Sequence, residues 1–165
     1  MLIIAMFMKL PDFVELYSKL QKKYSLPSFE EMNSSFDIGR IKRDSGNLLR
    51  DIRRGMIDKI VYYLKLTEVM VNPASASPIF LMLLKEITNE DRKVIDSVLT
   101  SFVGLELAAH RLDIESNEKD EAELVLKIFS LWTEKKLELI RLISILERNW
   151  KQTAVLKKNS RDYFN

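Results

Sequence analysis

The chain has 165 residues, 47% of them hydrophobic and 30% charged, with a formal net charge of +2 and no cysteine. That length supports one domain with a real core, and the absence of cysteine excludes disulfides, thiolate metal sites and a cysteine nucleophile. Four glycines and four prolines leave few tight turns, which favours long helices over a strand-rich fold.

The opening Leu2–Met8 is uniformly apolar but too short to span a bilayer, and it lacks the basic region and small-residue cleavage site of a secretory signal. It is expected to pack on the core. No membrane association follows from it, and the cytoplasm is the expected location.

Pro11 suits the first turn of a helix, and Phe13, Leu16, Tyr17 and Leu20 follow at the spacing of one helical face, ending near Tyr24. Ser28 and Glu31 have the spacing of a capping box, with Phe29, Met32 and Phe36 behind it as a short apolar stripe. A third helix is expected from about residue 45 or 46 to Val71. Its seam is Leu49, Ile52, Met56, Ile60, Tyr63, Thr67 and Met70, widened by Leu48, Ile57, Leu64 and Val71, so it should be central.

Pro73 and the small residues after it mark a loop, and "IFLMLLKEI" reads as one or two buried helical turns. Thr88 with Asp91 starts another helix, in which Ile95, Val98, Phe102, Leu105, Ala109 and Leu112 alternate by three and four as a heptad seam does. A last helix begins near Asn117 and carries Val125, Phe129, Trp132, Leu139, Ile143, Leu146 and Trp150. It is one helix of more than thirty residues, or two if "TEKK" breaks it. The expected fold is all-α, a single-domain bundle of about five to six helices over residues 1–165, with residues 152–165 as a basic tail.

Charge is unevenly spread. Residues Arg40 to Lys59 carry seven basic side chains against three acidic ones; Arg148 to Arg161 carry five basic and no acidic; Asp113 to Glu123 carry six acidic and one basic. A nucleic-acid helix must gather its cations on one strip. Arg50 and Arg54 share the polar face of the third helix, but Asp51 and Asp58 stand there too, and Asp58 is placed to pair with Arg54. Arg53 and Lys59 flank the apolar stripe, where their heads should snorkel to water. The candidate phosphate contacts are therefore Arg40, Lys42, Arg43, Arg50 and Arg54, with Lys151, Lys157, Lys158 and Arg161 from the tail.

His110, the only histidine, follows Glu106 by four residues, but a carboxylate-bridged metal site in a bundle needs further inward ligands at a spacing absent here. No Gly-rich phosphate loop or catalytic triad order is found. An enzyme is thus the least supported class, and no cofactor or metal is expected. Trp132 and Trp150 lie on the seam as core or helix–helix interface. With the adjacent aromatics Tyr163 and Phe164 they are the candidate interaction residues. The leading expectation is a small helical protein–protein interaction module that self-associates. The alternative is a nucleic-acid accessory protein gripping phosphates through residues 40–54 and the basic tail.

Overall fold

The computed structural model describes the backbone of residues 10–42 and 46–162, and side chains between 13 and 152 except at 43–45 and 75. The apolar opening, Arg43, and the tail aromatics Tyr163 and Phe164 fall outside the described residues, so the readings placed on them are not addressed. The fold is an all-α helical bundle. Among the described residues there are six α-helices: α1 (Leu10–Tyr24), α2 (Phe29–Phe36), α3 (Leu48–Val71), α4 (Pro78–Leu84), α5 (Asn89–Ile114) and α6 (Glu118–Asp162). Short 3₁₀ turns at Ile38–Arg40 and Pro73–Ser75 link α2 to α3 and α3 to α4. None of the described helices is long and apolar enough to cross a membrane.

The chain divides into two compact units, and α3, α5 and α6 each contribute a stretch to both. Unit 1 comprises Met1–Val61 and Gly104–Leu131; unit 2 comprises Tyr62–Val103 and Trp132–Asn165.

In unit 1 the capping box forms as expected: the Glu31 amide donates to Ser28 Oγ at 3.2 Å and the Ser28 amide donates to Glu31 Oε2 at 2.9 Å. Each bond satisfies an amide that the first helical turn would otherwise leave without a partner. Phe29 meets the rings of Phe13 and Tyr17 edge-on, with centroids 6.0 and 5.9 Å apart, which locks α1 to α2. The Tyr17 hydroxyl is buried and donates to the Pro27 carbonyl at 2.8 Å; burial pushes its pKa well up. Ile41 crosses α3 at Gly55, where an added Cβ would lie 2.7 Å from Ile41 Cδ1. Glycine there lets Ile41 lie close against the helix, and any side chain in its place would force the Ile41 side chain to shift.

In unit 2 Met70, Ile95, Leu142 and Leu146 form a buried cluster against which Phe80, Leu83 and Leu84 of α4 pack. The pairs Asp91–Arg141 and Ser97–Lys135 run in opposite directions along the two chains, so α5 and α6 are antiparallel here. Thr88 and Asp91 cap α5 reciprocally, and this bond, ahead of the one from Arg141, holds the Asp91 carboxyl below the usual range.

Two expectations need correction, and one alternative left open is decided. Helix α4 forms, but none of its residues is fully buried; Ile79 and Leu81 are exposed, and the helix lies on the cluster by one side only. Of the two alternatives for α6 the unbroken one holds: it is one helix of 45 residues, about 67 Å long, and it continues to Asp162, into the stretch read as a tail. The buried seam of α6 includes Val125, Trp132, Leu139 and Leu146 as expected, but at three positions it lies one residue before the one expected, at Ile128, Leu142 and Asn149. It runs Glu121, Val125, Ile128, Trp132, Lys135, Leu139, Leu142, Leu146 and Asn149, an unbroken alternation of four and three. Phe129 and Ile143 are only partly buried and Trp150 is half exposed. By contrast, the α5 seam from Ile95 to Leu112 is buried at every position named from the sequence.

Candidate interaction surface

The charged helix α3 and the acidic segment are where the sequence concentrated its functional signals, and unit 1 brings them together. Arg53 is 1% exposed and does not snorkel. Its Nε donates to Glu121 Oε2 at 2.7 Å, its Nη2 to Asp113 Oδ1 at 2.8 Å, and its Nη1 to the Ala109 carbonyl at 3.3 Å. Glu121, fully buried, also accepts from Ser116 Oγ at 2.8 Å and from Arg50 Nε at 3.4 Å. Arg54 reaches Asp113 Oδ1 from Nη2 at 3.1 Å. Two acids thus collect three consecutive α3 arginines at the turn between α5 and α6.

The network is stable because its charges are both paired and hydrogen-bonded, which a buried ion requires. Burial works against the Arg53 charge, but its bonds to Asp113 and Glu121 outweigh that and leave its pKa raised. The bond from Arg53, with a second from Arg54, holds the Asp113 carboxyl below its ordinary value. At the start of α6, Lys23 and the Tyr24 hydroxyl both donate to Glu118 Oε1 at 2.8 Å, so a third acid of the segment is engaged.

Of the candidate phosphate contacts, Arg50 and Arg54 therefore face carboxylates within unit 1. Arg40 and Lys42 are exposed beside the 3₁₀ turn. Lys151 is exposed on α6 in unit 2. Lys157, Lys158 and Arg161 lie in the helical stretch whose side chains are outside the described ones. His110 and Glu106 form a loose exposed pair, Nε2 to Oε1 3.8 Å, and no group of three or more metal-ligating residues occurs among the described residues.

Of the candidate interaction residues, Trp132 is buried with its ring 5.5 Å from that of Tyr63, which in turn meets the exposed Tyr62 edge-on at 5.1 Å. Trp150 stands half exposed next to Asn149, whose side-chain amide donates to the Leu83 carbonyl of α4 at 2.7 Å. Ten large apolar side chains are exposed among the described residues, and seven belong to unit 2: Tyr62, Val71, Ile79, Leu81, Leu137, Ile140 and Trp150. A shallow, open groove of about 600 Å³ in unit 1 is mixed in lining, with Leu16, Leu20 and Leu48 beside Lys19, Asp51 and Glu118.

Sequence reasoning missed Arg53 and Glu121 as partners. A usable signal existed, because Glu121 falls on the α6 seam by spacing, and a charge on a buried seam demands an opposite charge from a neighbouring helix. The same seam is polar again at Lys135 and Asn149, so its polar positions recur every fourteenth residue. Lys135 donates to Ser97 Oγ at 3.0 Å and pairs with Glu134 and Glu138; the bond to Glu134, opposed by burial, raises its pKa.

Comparison with protein-family models, curated proteins and solved structures finds no match to this chain.

Proposed function

We propose that the protein is a non-enzymatic helical interaction module that binds a protein partner, with a second copy of itself as the first candidate, through the apolar surface of unit 2. The observation that carries this reading is the concentration of exposed large apolar side chains there, on helices whose own seams are already filled. Single exposed apolar residues are ordinary; what favours this reading is that a Trp, a Tyr and five aliphatic residues are exposed in one unit, residue types of which Trp and Tyr are enriched at interfaces. Its driving force is burial of apolar area, which salt hardly weakens.

The alternative, phosphate binding, draws support from the exposed Arg40 and Lys42 and from the run Arg148–Arg161, which holds five basic residues and no acid. It loses weight at Arg50 and Arg54, whose charges are matched by Glu121 and Asp113.

Sedimentation velocity of the full chain, from micromolar to near-millimolar concentration at low and high salt, tests the leading reading. Association that grows with concentration and is unchanged by salt is expected. A monomer throughout, or association lost at high salt, contradicts it.

A further inference from the structure

Helix α6 has an outward face in unit 2 that carries no charge over four successive positions. Thr133, Leu137, Ile140 and Ser144 alternate by four and three, as the buried seam does, and all four are exposed, Leu137 to 73%. A solvent-facing stripe of a bundle helix ordinarily carries charged residues, and an apolar seam at this spacing is what one helix offers another. The small Thr133 and Ser144 on either side of Leu137 and Ile140 leave room for a second backbone to approach.

We infer that this stripe pairs with the same stripe of a second copy, antiparallel, about a two-fold axis between Leu137 and Ile140; this rests on the self-associating reading above. The charge order selects the occupant. Antiparallel pairing sets Leu137 against Ile140 of the second copy and Thr133 against Ser144. It also brings Glu134 on the flank opposite Arg141 of the second copy, and the two-fold repeats each contact. Parallel pairing would instead put Lys136 beside Arg141 of the second copy, a like-charge contact. A partner of unrelated sequence would have no reason to match an order that complements itself.

Glu134 and Arg141 keep their internal bonds in this arrangement. Arg141 uses Nη2 on Asp91 and Glu134 uses Oε1 on Lys135, and a guanidinium and a carboxylate each retain further bonding positions. Two large apolar residues per copy make a small contact, so the dimer is weak and forms at high micromolar concentration.

The chain has no cysteine, so introduced thiols report without background. Full-length Leu137→Cys and Ile140→Cys chains are mixed and oxidised mildly, with exposed Asp58→Cys as the control for random collision. The expected result is a mixed disulfide forming several-fold faster than either homodisulfide and than the control. Faster homodisulfides mean parallel pairing and overturn the inference, as does cross-linking no faster than the control.

Sedimentation of two double variants separates this inference from the broader reading. Leu137→Lys with Ile140→Lys should abolish association while leaving the circular dichroism spectrum and Tm unchanged. Ile79→Lys with Leu81→Lys should retain it. The reverse pattern overturns the α6 pairing and leaves self-association through unit 2 standing. A wild-type chain that is monomeric at every concentration overturns both.

Discussion

Units 1 and 2 share three helices and treat polar groups differently. Unit 1 takes the most charged stretches of the sequence and turns them inward, so that Arg50, Arg53 and Arg54 meet Glu121 and Asp113 around one buried guanidinium. Unit 2 buries Asp91 and Lys135, each paired with a more exposed partner, together with Asn149, and leaves Leu137, Ile140, Ile79 and Trp150 at the surface. The difference teaches that local charge in a sequence measures neither exposure nor availability. The arginines of the basic helix are matched within their own unit, and the better candidate for a contact surface is the outward stripe Thr133, Leu137, Ile140 and Ser144, which is uncharged although its flanks are not.

The sharpest way to break this contrast is Glu121→Leu. It leaves Arg53 buried with Asp113 as its remaining carboxylate, and removing one partner of a buried pair costs about 3–5 kcal/mol. Urea unfolding should show that loss, and adding Arg53→Met in the same chain should recover most of it, because the pair is then replaced by apolar volume. A double variant no more stable than Glu121→Leu alone would show that the network is not a coupled unit.

Acid should distinguish the units next. A carboxyl whose pKa is depressed by folding contributes stability that is present above its unfolded value and is lost as pH falls through the folded one. The Asp113 pKa is lowered from 3.8, so its contribution is full well above that value, begins to fall as the pH approaches it, and is gone only below the still lower folded value. Asp113→Asn should therefore lower stability at neutral pH and flatten the acid limb of the stability profile. A limb as steep as in the parent would place the acid sensitivity elsewhere, with Asp91 in unit 2 as the next group whose pKa is depressed by its bonds.

Lys135→Met should matter less than either, by about 1 kcal/mol or under. Glu134 and Ser97 are exposed and Glu138 is partly so, so water reaches most of what the lysine supplied. A loss as large as that for Glu121 would erase the contrast between the units. Leu137→Lys should be the mildest, within about 0.5 kcal/mol in thermal unfolding of the dilute chain, because it touches only surface.

Much of the fold was legible because its signals are local. The capping boxes at Ser28 and Thr88 depend on residues three apart, and the α5 seam is apolar at every position from Ile95 to Leu112, so spacing alone finds its buried face. In α6 the same rule finds Val125, Trp132, Leu139 and Leu146 but misses by one residue at three other positions. Large apolar Phe129, Ile143 and Trp150 sit next to the true seam, while Glu121, Lys135 and Asn149 occupy it; one residue is about 100° of rotation, enough to move a side chain from core to surface. The arginine network was illegible for a different reason. Arg53 and Glu121 are 68 residues apart, and periodicity within α3 finds the edge of its stripe but not the acid waiting across from it. Helix α4 misled through composition, since six apolar residues in a row suggest burial on all sides and the fold covers only one.

The central claim is that the arginines of α3 serve the fold and are not offered to phosphate. Fluorescence anisotropy of single- and double-stranded oligonucleotides at low salt tests it directly, comparing the parent chain with an Arg50→Gln, Arg54→Gln variant. The account predicts the same affinity and the same salt dependence for both chains, whatever Arg40, Lys42 and the basic run after Arg148 contribute. Micromolar or tighter binding that falls steeply with salt and is lost in the variant would contradict it.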